Sequence, residues 1–312
     1  MDKISVIVPC YNEQESLPYF YDSITEISEK MSGQEFEYLF INDGSRDSTL
    51  NLIKGYALKD ARVKYISFSR NFGKEAGIFA GLHHVTGDYV VVMDADLQHP
   101  PGLLPKMHSE IIKGIYDSVA VRRNTRDGEP KIHSFFANQF YKLINKISKT
   151  NIVPGAQDFR MMTRQMVDAI LKIGEYNRFS KGIFEWVGFE TKWIDCLNTP
   201  RVAGKTKWSF GSLFIYSAEA IISFSNVPLA LSSIIGVAFC LIAFILIGLV
   251  IFRTLVFGDP VAGWPSLVCI ICLLGGLQLL CIGVLGQYLA KTYLETKHRP
   301  IYIIKESNLE SL

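Results

Sequence analysis

Short apolar runs alternate with segments of mixed polarity over the first two thirds of the chain, residues 1–198. The runs are near-continuously apolar, as in strands that are covered on both faces of a sheet. The predicted strands are Ile4–Pro9, Tyr38–Asn42, Val63–Phe68, Tyr89–Met93 and Ser118–Val121. The segments of helical length between them are Glu13–Met31, Ser48–Leu58, Lys74–His84 and Pro105–Lys113. This alternation predicts an α/β domain with a doubly wound, Rossmann-like parallel sheet and right-handed crossovers.

The last third of the chain contains two long stretches without a charged residue, 220–252 and 260–290. Because a bilayer core needs about 20 apolar residues per helix, we predict transmembrane helices near 229–252 and 266–290, joined by a short link. Lys and Arg residues precede the first stretch and follow the second, which places both ends in the cytosol. A pair of buried helices in a soluble protein is the alternative, but their length and the lack of a polar face disfavour it.

These patterns divide the chain into four predicted segments. A cytosolic α/β domain covers 1–208, and an aromatic-rich helix at the membrane interface covers 209–227. For the first half of that helix, an ordinary domain-closing helix is an equal alternative. The two transmembrane helices lie within 228–290, and a cytosolic tail covers 291–312. The amino terminus turns polar after a short apolar run, so we expect no signal peptide.

Composition narrows the class of protein. The 312 residues suffice for one α/β domain with an appendage, and 49% hydrophobic residues is high for a wholly soluble protein. A net charge of only +2 provides no general field for a polyanion, so we expect no nucleic-acid partner. The CxxC pair Cys269 and Cys272 has no second ligand pair nearby, so we interpret the cysteines as apolar packing residues in a reducing compartment.

Ligands of doubly wound sheets bind beyond the carboxyl ends of the strands. Three polar loops follow predicted strands there: Pro9–Glu13, Asn42–Ser45 and Asp94–His99. The first loop lacks the GxGxxG of dinucleotide-binding proteins, and no Walker lysine motif follows any strand. Tyr11 and Asn12 can stack on a base and bond its edge, although Asn12 capping the next helix is an alternative.

Carboxylates follow the second and fourth predicted strands. Asp43 can accept a hydrogen bond from a ribose or base, with a simple capped turn as the alternative. Asp94 and Asp96 stand at i and i+2 after a buried strand, where unpartnered carboxylates are costly. A Mg²⁺ or Mn²⁺ ion that bridges to a diphosphate resolves this cost, and Gln98 can add a neutral oxygen. Solvated capping is the alternative for Asp96.

Basic residues stand where a diphosphate needs them. After the fifth strand come Arg122, Arg123, Arg126 and Lys131, and before the apolar stretches come Arg201, Lys205 and Lys207. Guanidinium groups suit phosphate oxygens, whereas for Lys205 we favour contact with anionic lipid headgroups. A further polar segment, 155–160, contains Asp158. This carboxylate can act as a base on a second substrate, the acceptor of a transferred group, or can orient that substrate. A buried pair of Asp158 with Arg160 is the alternative.

The ordered segments VPCYNE, INDGS, DADLQHPP and GAQDFR resemble those of glycosyltransferase family 2. With the two predicted spans, the chain is most similar to polyprenyl-phosphate hexosyltransferases, such as bactoprenol glucosyltransferases, and more distantly to dolichyl-phosphate mannose synthases. This resemblance implies a GT-A fold, a nucleotide-diphospho-sugar donor, a divalent metal and inversion at the anomeric carbon. It also permits a homo-oligomer such as a tetramer, and a functional link to a flippase.

The resemblance assigns roles by position. Nucleotide-sugar binding is implied for Pro9, Tyr11, Asn12, Glu13, Asp43, Asp94, Arg122 and Arg123. Asp96 and Gln98 would hold the metal, which makes Asp96 catalytic, and Arg201 would match a cation on the phosphate side. The sequence positions alone, and not the resemblance, suggest a catalytic role for Asp158 and diphosphate or acceptor binding by Arg126, Lys131 and Lys207. The stretch after Arg201 reads AGKTKWSFG, where relatives often carry Ser or Tyr, so the match of its lysines is incomplete.

The expected reaction moves a hexose from a UDP-sugar to undecaprenyl phosphate at the cytosolic face of a bacterial inner membrane, for modification of a cell-envelope polysaccharide. Glucose is favoured by likeness, while UDP-N-acetylglucosamine and GDP-mannose stay open as donors. A phosphate acceptor with a second pKa of about 6 is largely deprotonated, so a strong base is unnecessary. A processive synthase would carry a QxxRW segment, which is missing here. A catalytically inactive scaffold and a flippase subunit are the remaining alternatives.

Overall fold

The computed structural model describes residues 1–123, 145–146, 153–196, 222, 225, 227–257 and 263–309. Its strands are β1 Asp2–Cys10, β2 Gln34–Asn42, β3 Val63–Phe68, β4 Tyr89–Val92, β5 Ser118–Arg123, β6 Ala156–Thr163, β7 Thr191–Cys196 and β8 Ile304–Ser307. Its helices are α1 Leu17–Lys30, α2 Thr49–Lys59, α3 Lys74–His84, α4 Leu104–Ile111, α5 Arg164–Leu171, α6 Ser180–Trp186, α7 Val227–Phe257 and α8 Trp264–Thr296. All five predicted strands and all four predicted helices of the first domain are present, so the alternation of polarity predicted these elements correctly.

One eight-stranded sheet has the order β7-β5-β6-β4-β1-β2-β3-β8. Its centre, β4-β1-β2-β3, is parallel as predicted. Helices cover both faces, because Val6 and Val8 of β1 belong to the core that contains Phe20 of α1, while Ile7 faces Gly81 of α3. The sheet therefore buries its central strands on both sides, which explains their near-continuous apolar sequence.

The five predicted strands all run in the same direction, but antiparallel strands that the sequence did not predict join them. Strand β6 lies antiparallel between β4 and β5. Its polar residues Gln157 and Asp158 interrupt the apolar pattern, so the sequence did not predict a strand here. Because β6 runs in reverse, its first residues lie at the carboxyl end of β4, where Val92 pairs with Arg160. This reversal brings Asp158 to the edge at which ligands of such sheets bind.

The chain divides into two compact units, Met1–Ile215 with Arg299–Leu312, and Tyr216–His298. The carboxyl-terminal segment returns to the first unit as β8, which pairs antiparallel with β3. The Asn308 side chain extends this pairing, since it accepts from the Tyr65 N–H at 2.7 Å and donates to the Val63 carbonyl at 3.1 Å. The sequence did not predict a strand in the tail.

The second unit consists mainly of α7 and α8, which contain the two predicted spans. By length and composition, Val227–Leu246 and Leu273–Thr296 are apolar enough to cross a membrane. Neither window is buried within the protein. Helix α7 continues to Phe257, which shortens the link to residues 258–263. The predicted interfacial helix, 209–227, falls almost wholly outside the described residues.

Candidate active site

Two loops at the carboxyl edge of the sheet, 11–16 and 43–48, brace each other. The Asn12 side-chain oxygen accepts from the Arg46 N–H at 2.8 Å, and the Asn12 N–H donates to the Ser45 hydroxyl at 3.0 Å. Helix α1 begins only at Leu17, so the helix-capping alternative for Asn12 is wrong. Asn12 has a φ of 53°, a left-handed conformation that Asn tolerates better than most residues.

The predicted nucleoside residues are thus held together on this edge. The Glu13 N–H donates to the Thr49 hydroxyl at 2.8 Å, and its carboxylate accepts from the Ser16 hydroxyl at 2.6 Å. Pro9 is the second-last residue of β1, and Tyr11, which is partly exposed, follows the end of that strand. The arrangement leaves an aromatic ring at a rigid loop, a suitable platform for a base, although nucleoside contact by these residues stays a prediction.

Asp43 organises the loop that leads into α3. Its buried carboxylate accepts from the backbone N–H groups of Phe72 at 2.6 Å and Gly73 at 2.9 Å. Burial raises the pKa of the Asp43 carboxyl, and the two N–H donors partly offset this rise. Asp43 therefore fixes the position from which Lys74 extends, whatever contact it makes with a nucleoside.

Lys74, the first residue of α3, joins two acids that are distant in sequence. Its ammonium lies 2.7 Å from Asp94 and 2.5 Å from Asp158. Lys74 was not among the predicted site residues, because it follows the loop after β3, residues 69–73, and not one of the three polar loops predicted at the carboxyl edge. That loop reads SRNFG and ends beside the same edge, so its position could have pointed to this lysine.

Asp158 is ionised because of its cationic neighbours. Burial opposes ionisation, but the Lys74 ammonium, and after it Lys181, hold the pKa of the Asp158 carboxyl well below its usual range. Such a carboxylate is a weak proton acceptor. Of the two predicted roles, base or orienting group, this geometry favours the orienting role.

The structure does not show the alternative ion pair between Asp158 and Arg160: Asp158 pairs with Lys74, and Arg160 pairs with Glu185. Arg160 is fully buried, its guanidinium lies 3.5 Å from Glu185, and it stacks 4.1 Å above the ring centre of Phe184. Arg160 thus secures α6 against β6, while Asp158 takes Lys74 as its partner.

The loop after β4 offers oxygen atoms for a cation. Asp96 accepts from the Gln98 N–H at 3.1 Å, with Leu97 between them at a φ of 55°. Arg123 donates to the Gln98 side-chain oxygen at 3.4 Å. Within the described ranges no three His, Cys, Asp or Glu side chains form a ready-made metal cluster. One or two carboxylates completed by phosphate oxygens is the usual set for Mg²⁺, so Asp96 and Gln98 fit a cation that arrives with a diphosphate.

His99 links this loop to β6. Its ring is buried, stacks on Phe159 with centroids 5.9 Å apart, and its Nε2 lies 3.3 Å from the Gln157 side-chain oxygen. The Gln157 amide nitrogen donates to the Gly155 carbonyl at 3.1 Å, so the Gln157 oxygen is the acceptor and His99 the donor. This contact connects the loop after β4, which carries Asp96 and Gln98, to β6, which carries Asp158.

The predicted cations separate in the structure. Arg122 turns toward β7 and donates to Asp195 at 2.6 Å, whereas Arg123 turns toward Gln98. Adjacent residues of a strand point to opposite faces. Of these two arginines, only Arg123 therefore contacts the loop that carries Asp96 and Gln98. A diphosphate role for Arg122 stays a prediction. The remaining predicted cations lie outside the described residues: Arg126, Lys131, Arg201 and Lys207.

Comparisons with known proteins agree with this architecture. Residues 5–171, more than half of the chain, match the family described as Glycosyl transferase family 2. The bactoprenol glucosyl transferase of Shigella phage SfX is 44% identical over 303 residues, which cover 97% of this chain and 99% of that protein. The prophage bactoprenol glucosyl transferase homolog of Escherichia coli strain K12 is 43% identical, covering 97% of this chain and 98% of that one.

Among solved structures, the glucosyl-3-phosphoglycerate synthase of Mycobacterium tuberculosis aligns with a TM-score of 0.49 and 18% identity, covering 71% of this chain and 78% of that chain. The assignment rests on the family match and on the near full-length relatives. The chain therefore belongs to glycosyl transferase family 2.

Proposed function

We propose that this glycosyltransferase moves glucose from UDP-glucose to a polyprenyl phosphate, with undecaprenyl phosphate as the expected acceptor. The observation that carries the proposal is the state of Asp158, which Lys74 holds as a weakly basic carboxylate. A hydroxyl acceptor needs a base to remove its proton, whereas a phosphate monoester is largely deprotonated above about pH 6. The names of the near full-length relatives, bactoprenol glucosyl transferases, support the same acceptor and sugar.

In the proposed reaction an acceptor phosphate oxygen attacks the anomeric carbon of the sugar from the face opposite the diphosphate. A bond forms between this oxygen and the anomeric carbon, the bond to the diphosphate oxygen breaks, and UDP leaves with the electron pair. Inversion follows from this single displacement. Arg123 and Gln98 lie together beside Asp96, where they would receive the diphosphate end of the donor.

A divalent cation held by Asp96 and Gln98 would supply Lewis-acid stabilisation of the leaving diphosphate. Asp94 and Asp158 have a different task in the proposal, since their carboxylates fix the Lys74 ammonium between them. The site thus holds cationic groups against both substrates without a proton transfer to the protein.

We further propose that α7 and α8 cross the inner membrane and leave the first unit in the cytoplasm. The chain leaves that unit before α7 and returns to it after α8 as β8. Only an even number of crossings allows this return, which agrees with two spans. The basic residues at both outer ends favour the cytosolic side. The acceptor phosphate would then lie at headgroup level on the face where the donor is available.

The proposal predicts that Asp96→Ala removes nearly all transfer while the protein still folds. Loss of several kcal/mol of metal stabilisation corresponds to at least about 100-fold in rate. Purified protein in detergent would be assayed with undecaprenyl phosphate, Mg²⁺ or Mn²⁺, and UDP-glucose, UDP-N-acetylglucosamine or GDP-mannose in separate reactions. Asp168→Ala is the matched control, because this exposed aspartate of α5 lies in a loose pair with Arg164 at 3.9 Å.

A metal-dependent glycolipid from UDP-glucose, lost in Asp96→Ala and retained in Asp168→Ala, is the expected result. Product from another donor alone would replace glucose with that sugar. Near-normal transfer by Asp96→Ala would remove Asp96 from the metal site, and a wild type that binds UDP-sugar but makes no glycolipid would contradict the acceptor.

A further inference from the structure

We propose that Lys74 is a substrate-binding residue whose ammonium donates a hydrogen bond to a phosphate oxygen of an anionic substrate. This phosphate belongs either to the diphosphate of the sugar donor or to the lipid acceptor, and separate titrations distinguish the two sources. The inference rests on the proposed function, because it assigns a ligand to a residue of the same site.

The geometry leaves the ammonium with a donor for a ligand. A lysine ammonium has three N–H groups. The two oxygens of Asp94 lie 2.7 Å and 2.9 Å away and one oxygen of Asp158 lies 2.5 Å away. When the two Asp94 oxygens share one N–H group, one N–H group remains for a ligand. The Lys74 side chain is 42% exposed, so solvent reaches part of this residue. Lys74 therefore joins the acid at the end of β4 to the acid of β6 without being enclosed by the protein.

The charges at this edge require such a cation. Asp94, Asp96 and Asp158 contribute three carboxylates, and both proposed substrates are anions. Without Lys74, an arriving phosphate would meet Asp94 and Asp158 as like charges that have lost their nearest cation, and such repulsion is strong in a partly desolvated site. A cation shared between the two acids removes this barrier and adds a hydrogen-bond donor.

The position of Lys74 in its helix also points to function. Lys74 is the first residue of α3, where the helix dipole favours acids and disfavours cations. The local preference is thus broken at one residue, as happens at functional sites. Its neighbours hold it in place, because Asp43 accepts from the Gly73 N–H at 2.9 Å and Glu75 accepts from the Ser180 N–H at 2.9 Å.

The test compares Lys74→Met, Lys74→Gln and Lys74→Arg with wild type. UDP-glucose in the presence of Mn²⁺ and undecaprenyl phosphate in detergent would be titrated separately, each without the other substrate, and KM and kcat would be measured for transfer. Loss of a charge-assisted hydrogen bond corresponds to about 10- to 100-fold in affinity. We expect Lys74→Met to weaken binding of one ligand by that factor, and Lys74→Arg to recover most of it.

The ligand whose titration changes identifies the phosphate. Lys192→Met is the control, because Lys192 lies on the edge strand β7, has a similar exposure of 36% and pairs with Glu110 at 2.9 Å. Unchanged titrations and KM values in Lys74→Met, with a loss only in kcat or in thermal stability, would overturn the proposal. If Lys74→Met does not fold, Lys74→Gln carries the same comparison. Both titrations need no turnover, so they report on Lys74 even if the wild type transfers no sugar.

Discussion

At the scale of single residues, the ionisation of Asp158 connects the structure to the chemistry. Lys74 lowers the pKa of this carboxyl far below the value of about 3.9 for a free aspartate. A carboxyl with a lowered pKa in the folded state stabilises the fold above about pH 4, and this contribution is lost only as the pH falls through the lowered value. Asp158 is therefore ionised throughout the range in which transfer would be measured.

This ionisation predicts the pH dependence of transfer. The rate should rise with pH through about 6, the second pKa of the acceptor phosphate, and then level off. Asp158→Asn should lower kcat, because Lys74 loses one of its two partners, but the rise should stay near pH 6. Rate profiles between pH 5 and 8 would test this, with Asp168→Asn as the control. A profile that becomes flat in Asp158→Asn would identify Asp158 as the titrating base.

At the scale of elements, α3 and β6 create the site between them. Helix α3 carries Lys74 and β6 carries Asp158, and the 2.5 Å ion pair between them joins the two elements at the site. The placement of α3 depends on its close approach to β1. A Cβ atom on Gly81 would lie 2.2 Å from the Ile7 side chain, which is fully buried. Only glycine permits this approach without movement of the helix.

Gly81→Ala should therefore destabilise the protein, whereas Gly55→Ala should not. Overpacking a buried contact costs about 1–3 kcal/mol, and movement of α3 should also displace Lys74 and lower transfer. Gly55 lies inside α2 with no atom within 4 Å of the added Cβ, so alanine there should stabilise by about 0.5–1 kcal/mol. Thermal unfolding midpoints in detergent would measure both changes. A Gly81→Ala protein as stable as wild type would contradict the proposed packing.

At the scale of the whole molecule, the return of the chain determines the topology. Residues before α7 and residues after α8 share one sheet, since β8 pairs with β3. A salt bridge of 2.6 Å between Lys54 and Glu306 adds to this attachment. If α7 and α8 cross the membrane, the link between them lies on the side opposite the active site. A homo-oligomer and a flippase partner stay predictions from the resemblance.

Cysteine labelling tests this topology. In intact cells, a membrane-impermeant maleimide should label an Asp259→Cys protein, whose substitution lies in the link, and should not label Lys305→Cys, whose substitution lies in β8. Inverted membrane vesicles should show the opposite pattern, because the cytosolic face is then outside. Wild type, which retains its six native cysteines, serves as the blank. Labelling of both variants from the same side would exclude the proposed hairpin.

The sequence by itself determined the local features of this protein. The pattern of apolar and polar residues predicted β3, Val63–Phe68, and α3, Lys74–His84, with their exact bounds. This is possible because burial of a strand or helix leaves a pattern among residues that are close together in the sequence. The position of Asp94 and Asp96 at the end of β4 was predicted in the same way, because these two residues directly follow an apolar run in the sequence. The ordered motifs also predicted the family correctly.

Only the tertiary structure decided which distant residues meet. Lys74 and Asp158 are 84 positions apart, and no local pattern records their contact. The antiparallel insertion of β6 and the return of β8 depend on pairing between strands far apart in the chain, which local polarity does not specify. Arg122 and Arg123, adjacent and chemically alike, contact different residues because a strand directs them to opposite faces. The sequence thus indicated the acidic groups of the site but not Lys74, whose role depends on partners that only long-range packing and charge bring together.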